Sequence, residues 1–222
     1  MRPARRRAGR ARGPDYAAFA RFLRSLGVSP ARDPEYADTA RLAGVFFAER
    51  TAGLRAGLRS LGTLRYRGRP GATIALESIP VYGLCPHHLA PYFGTVTVRY
   101  APDGRVTGAG SLARLVRDLA LVPRLQEDLA EAVADEIDRG LTPRWIEVRV
   151  EARHLCLEMR GTQQRAQFVT EARRGDVPGR RAPSKAGRQA RTKSRRTRTP
   201  RVTSRARSGA SGTTRRARTR AR

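Results

Sequence analysis

The 222 residues include three histidines and two cysteines, and all five fall in two short windows. One is Cys85-Pro86-His87-His88; the other is His154-Leu155-Cys156. Scattered structural residues would not cluster so completely. Cys85 and His88 have the C-x-x-H spacing that lets a tight turn present a thiolate and an imidazole to one metal ion, and Cys156 could add a third ligand from a later strand. Two thiolates and one imidazole are borderline-soft donors suited to Zn2+. A structural zinc is normally closed by four protein ligands, whereas three ligands and a water make a catalytic site. Zinc lowers the pKa of such a water to roughly 7, giving a nucleophile at neutral pH. His87 and His154 are then left beside the metal, where they suit proton transfer. The same five residues also admit a four-ligand structural site that recruits His87 or His154, a pair of buried thiols, or a regulatory disulfide. On an extended segment His87 and His88 would point to opposite sides, which makes joint ligation of one ion awkward.

These windows must be positioned by the elements around them. Asp15 to Leu26 reads as a helix with Phe19, Phe22 and Leu23 on one face, ending at Gly27. Ala37 to Leu54 reads as a second, with Leu42, Val45, Phe46 and Leu54 as its apolar stripe. Gly71 to Leu84 is extended, and Pro80 marks an edge or a bulge. Gly94 to Tyr100 alternates, with Val96, Val98 and Tyr100 on one side, before the turn chemistry of Pro102-Asp103-Gly104. A helix follows with Leu112, Leu115, Val116 and Leu119 at i, i+3, i+4 and i+7. The next has Pro123 near its first turn, an apolar face of Leu125, Leu129, Val133 and Ile137, and Gly140 just past its end. Trp145 to Ala152 is a strand with Ile146, Val148 and Val150 inward, and a further strand is expected from Leu155 to Met159. Strands, then helices, then strands predict an α+β domain, an antiparallel sheet with helices on one face.

The formal net charge of +27 is unevenly spread. Residues 1–13 carry six Arg and no acid, and residues 177–222 carry 15 Arg, two Lys and no acid, which leaves +4 for the 163 residues between. The expected organisation is therefore a basic N-terminal tail (1–13), a near-neutral domain (14–176) and a basic C-terminal tail (177–222). The C-terminal tail is too poor in large apolar residues to offset the entropy of ordering, so disorder is expected there. Its charge suits non-specific binding to nucleic acid or another polyanion, and without interleaved aromatics it has nothing to stack on bases. No apolar run is long enough for a membrane span and none follows the basic N-terminus, so a cytoplasmic protein without membrane contact is expected.

The windows and their surroundings resemble type I GTP cyclohydrolases. The resemblance is carried by Tyr82 to Gly94 (YGLCPHHLAPYFG), Gly108 to Val116 (GAGSLARLV), Pro123 to Leu129 (PRLQEDL) and Arg153 to Gln164 (RHLCLEMRGTQQ), with Ala37 to Arg41 similar to the start of that family's N-terminal helix. It runs in order from about Glu35 to Arg174 and covers neither tail. It implies hydrolytic opening of the GTP imidazole ring, release of C8 as formate, and re-cyclisation to 7,8-dihydroneopterin triphosphate, the first step of folate and pterin biosynthesis. It further implies that Cys85, His88 and Cys156 bind Zn2+, that His87 and His154 are the acid–base groups, and that Glu127, assisted by Gln126, pairs with the guanine edge. It also implies phosphate binding by Arg114 and Arg160, with Ser111. The implied fold is the tunnelling fold with N-terminal helices, whose sheets join subunits into a barrel, here a homodecamer with active sites between subunits.

This chain departs from the family pattern at three places. Gly110-Ser111 stands where the family has Ser-Lys, Cys-Pro-His-His replaces Cys-Glu-His-His, and Leu121-Val122 replaces a basic pair. Metal and hydrolytic chemistry are untouched, while triphosphate binding and the later ribose-opening and ring-closing steps are affected. Arg124, Arg153 and Arg165 are the candidate substitute cations. Two alternatives follow: a divergent purine-ring hydrolase with another product or guanine nucleotide, and a non-catalytic, zinc-stabilised nucleotide- or polyanion-binding protein.

Overall fold

A computed structural model of the chain describes residues 13–178. All belong to the first of two units, Met1–Ala182 and Pro183–Arg222. Residues 1–12 and the Arg-rich stretch beyond Pro178 lie outside the described residues, and with them the expected disorder of both tails.

In chain order the elements are α1 (Tyr16–Ser25), α2 (Thr39–Arg50), β1 (Leu64–Arg65), β2 (Ile74–Leu84), β3 (Pro91–Ala101), β4 (Arg105–Val106), α3 (Ala109–Ala120), α4 (Gln126–Leu141), β5 (Trp145–His154), α5 (Leu155–Glu158) and β6 (Gln167–Gly175). The main sheet has the order β2-β3-β5-β6, antiparallel at every pairing, and β1 and β4 form a separate two-stranded ribbon. The domain is α+β, as its pattern predicts.

Period-2 alternation sends Val96, Val98 and Tyr100 of β3, and Ile146, Val148 and Val150 of β5, to one face of the sheet, where all six are fully buried. There they share one core with Leu112, Leu115, Val116 and Leu119 of α3 and Leu129, Val133 and Ile137 of α4. Each such side chain removed from water contributes about 1.5–3 kcal/mol, so this layer holds the sheet to its helices. The opposite face is charged. Arg149 donates to Glu151 (3.0 Å) and Glu171 (2.9 Å), Arg173 donates to Glu147 (3.1 Å) and Glu171, and Arg99 lies 3.7 Å from Glu147.

Several elements differ from their sequence reading. Leu42, Phe46 and Leu54 are exposed; the buried residue of α2 is Gly44, against the Tyr16 ring, and Phe47 rather than Phe46 stacks on Phe19 (5.8 Å between centroids). Packing against α1 selects that face, not the densest apolar stripe. Gly140 lies inside α4, whose C-cap is Thr142 with φ +46°, and Leu125 is a half-exposed N-cap rather than a core residue. Leu155 to Met159 is not a strand. The Met159 N–H donates to Leu155 C=O (2.8 Å) and closes one helical turn, since five residues are too few to separate a period of 2 from 3.6. The last strand is instead β6, whose only buried residue is Ala172, so it shows no apolar alternation in the sequence. Pro80 does sit on an edge strand, and the register slips between Leu76 and Ile79, where Ser78 has φ +56°. Val177 is buried against Ala101 and Trp145, so the packed region continues past Asp176. No helix among the described residues is long and apolar enough to cross a membrane.

Candidate metal centre and active site

The two windows meet because of strand register. Residues 85–90 connect β2 to β3, and β3 pairs with β5 so that Tyr92 lies opposite His154. The turn that carries the first window and the strand end that carries the second are thereby at the same end of the sheet. The turn closes on itself: the Cys85 N–H donates to Ala90 C=O and the Leu89 N–H donates to Cys85 C=O, both 2.9 Å, with Leu89 at φ +51°.

Within this geometry Cys85, His88 and Cys156 bring one ligand atom each to within 4.8 Å of one another. Ligands on a tetrahedral ion with Zn–S about 2.3 Å stand somewhat closer, roughly 3.8 Å apart, so a small inward rotation of side chains would seat it. The donor set, two sulfurs and an imidazole, fits zinc. Burial, and then the neighbouring Cys85 thiol, push the Cys156 thiol above its ordinary value; a divalent cation at this point would reverse that shift. Cys156 comes from α5, not from a strand as expected. His87 and His88 are not on an extended segment either. Their Nδ1 atoms lie 3.8 and 3.7 Å from the Cys85 sulfur, so the turn brings both rings to the same side. His88, and not His87, completes the triad with Cys156.

His154 sits beside the triad in a pocket of rings. Tyr92 stacks on it (4.9 Å, 20°) and Phe168 meets it edge-on (5.6 Å, 88°). Burial lowers its pKa, while the Glu127 carboxylate opposes that shift. Glu127 itself is exposed in the first turn of α4. Tyr92 is wholly buried, which pushes its phenol up to about 12 and keeps it neutral. Its ring occupies the space over Gly83, where a Cβ would fall 2.2 Å from the Tyr92 ring.

The arginines sort differently from their sequence reading. Arg160 reaches the triad, its Nη1 lying 2.5 Å from His88 Nε2. Arg114 donates to Ser111 (3.0 Å), and these two form a pair of their own on α3, with no hydrogen bond to the triad among the described residues. Arg153 grips both carboxylate oxygens of Glu158 (2.8 and 2.5 Å) and lies over the Phe93 ring, so it is engaged and not a spare phosphate cation. Arg124 is half-buried and lines a cavity of about 680 Å³ with Gly53, Leu58, Arg59, Asp118 and Val122, while its backbone N–H donates to the C=O of Leu84, the residue before Cys85 (3.3 Å). Gln126 departs most from expectation. It is 1% exposed, its amide nitrogen donates to Val150 C=O and Phe168 C=O (both 3.0 Å), and its oxygen meets His154 Nε2 at 2.8 Å. Its side chain has no face left for a guanine. Glu158, Tyr92 and Phe168 escaped the sequence reading because only strand pairing and the turn of α5 bring them to the site.

The family model for GTP cyclohydrolase I matches residues 16–189. The chain belongs to the GTP cyclohydrolase I family. It is 40% identical over 161 residues to GTP cyclohydrolase 1 of Thermobifida fusca (strain YX), covering 71% of this chain and 77% of that one. GTP cyclohydrolase 1 of Streptococcus agalactiae (serotype Ia) is 34% identical over 160 residues, covering 71% and 85%. The Aquifex aeolicus enzyme of the same name is 43% identical over a shorter stretch of 103 residues, covering 46% and 56%. Among solved structures, the archaeosine synthase QueF-Like in the apo form covers half of this chain at 19% identity with a TM-score of 0.37, too remote a likeness to bear on fold or chemistry. Membership in the cyclohydrolase family places the chain among hydrolases, and every Cys and His it possesses stands in or beside the candidate metal centre.

Proposed function

We propose that this protein opens the imidazole ring of GTP by zinc-dependent hydrolysis, releases formate and forms 7,8-dihydroneopterin triphosphate, a step leading to folate and pterin cofactors. The observation that carries the proposal is the convergence of Cys85, His88 and Cys156, with His154 alongside, in a chain of this family. Zinc held by those three ligands would supply Lewis acidity and activate a water. The chain's own residues do the rest. Glu127, exposed at the start of α4 and electrostatically coupled to His154, accepts from two guanine N–H groups. His87 and His154 move protons as the ring is attacked and as its C–N bonds break. Arg160 at the triad, and Arg114 with Ser111 on α3, provide guanidinium forks for phosphate oxygens.

The two outer strands of the main sheet, β2 and β6, which pair on one side only among the described residues, with Phe168 and Val169 exposed at the start of β6, support an active site completed by another subunit. Edge-to-edge joining of such sheets gives the barrel of the tunnelling fold, and a homodecamer is the assembly proposed.

The deciding experiment incubates zinc-loaded protein with GTP and measures formate and the pterin product separately. Both are expected, and His154→Ala is expected to lose turnover by at least about 100-fold while one zinc per chain is retained. Formate without pterin would show that the chemistry stops early, as a missing Ser-Lys pair permits. Neither product would sink the proposal, and loss of zinc from His154→Ala would make His154 a ligand.

A further inference from the structure

Gln126 is the first residue of α4 and the largest buried polar side chain of the described domain. Its amide orientation is decided by its neighbours. Val150 C=O and Phe168 C=O both lie 3.0 Å from Nε2, and the Thr170 hydroxyl lies 3.2 Å from it. Carbonyl oxygens only accept, so the end of the amide that faces them must be the NH2. Turning the amide over would bury an oxygen against two carbonyl oxygens, leaving all three unsatisfied. Oε1 therefore faces His154 Nε2, 2.8 Å away. An amide oxygen also only accepts, so that ring nitrogen must carry the hydrogen. Tyr92, stacked on the imidazole, and Phe168, perpendicular to it, fix the plane of the ring, and turning the ring over within that plane would set a carbon against Oε1 in place of Nε2.

We infer that Gln126 is a positioning residue that holds His154 in the Nε2–H tautomer, which leaves Nδ1 as the acceptor nitrogen of its ring. The inference rests on the cyclohydrolase reading and assigns Gln126 a task other than recognition of guanine. An oriented partner on the far nitrogen is the general means by which proteins choose a histidine's working nitrogen.

The chain has only three histidines, so a 15N spectrum of histidine-labelled, zinc-loaded full-length protein holds three imidazoles, that of His154 being assigned by its loss in His154→Asn. Two-bond couplings to the ring hydrogens distinguish Nε2–H from Nδ1–H. The Nε2–H form is expected for His154 in the wild type, and Nδ1–H there would overturn the inference whether or not any variant folds. Gln126→Met, of similar size but without the amide, is expected to give a mixture of tautomers. Its kcat should fall by roughly 10–100-fold, with KM for GTP within about threefold and zinc content unchanged. A fall in kcat with the tautomer unaltered would reduce Gln126 to packing and reject the inference. A rise in KM with kcat preserved would instead return Gln126 to substrate binding. Wild-type protein with the Nε2–H tautomer but no release of formate would remove the catalytic role together with the cyclohydrolase reading, whereas turnover by a wild type with Nδ1–H would reject the inference alone.

Discussion

At the scale of single residues, the contact that most needs testing is the fork between Arg153 and Glu158. The two residues flank the stretch that contains Cys156, and their paired hydrogen bonds tie the end of β5 to the end of α5. A four-residue helix has almost no stability of its own. Its position, and that of the Cys156 sulfur, therefore depends on what anchors its ends. Glu158→Gln breaks the charge-assisted fork while keeping the shape. It is expected to weaken zinc retention by about tenfold, read by competition with a chelator, with the far-UV CD spectrum unchanged. Undiminished affinity would show that α5 is held by its apolar contacts alone.

At the scale of elements, the site depends on how closely β3 and β5 approach. Gly94 lies opposite Ala152, and a Cβ built on it would fall 1.9 Å from the Glu151 carbonyl oxygen and 2.6 Å from the Ala152 Cα. Those are backbone atoms and cannot rotate away. Gly94→Ala is expected to push the strands apart and cost about 1–3 kcal/mol or more, measurable by urea unfolding. Because Tyr92 and His154 are paired two residues along, turnover should fall with stability. A neutral substitution would mean that the strands have slack there. The motif around Gly94 was recognisable from its residues, but the requirement for glycine at that position was not, since it arises from a strand 58 positions away.

At the scale of the whole molecule, the charged face of the sheet makes stability depend on pH in a definite direction. The hydrogen bond from Arg149 holds the Glu151 carboxyl below its ordinary value. A depressed carboxylate stabilises the fold above its unfolded pKa, about 4.3, and that contribution disappears as pH falls through the lower folded value. Arg149→Ala should therefore melt below the wild type between about pH 6 and 8, and the two melting temperatures should converge as pH falls below about 4.3 and Glu151 becomes protonated in the folded state. A difference that persists once Glu151 is fully protonated would mean that Arg149 acts through its aliphatic stem and not its charge. With α3 and α4 covering the other face of the main sheet, β2 and β6 are its edges among the described residues.

Local information in the chain was sufficient for much of this. Five Cys and His residues in two windows pointed to a metal site, and heptad-like spacing on α3 and alternation on β3 and β5 described the core correctly, because burial on one face leaves a periodic trace. Tertiary structure alone decided what has no such trace. The register that sets Tyr92 against His154, the inward turn of Gln126, and the capture of Arg153 by Glu158 depend on strands and turns meeting across the fold. So does β6, whose inner face is too small and polar to alternate, and so does α5, too short for its period to be read. Residue types announced the chemistry; which nitrogen, which arginine and which amide take part follows from contacts between distant segments.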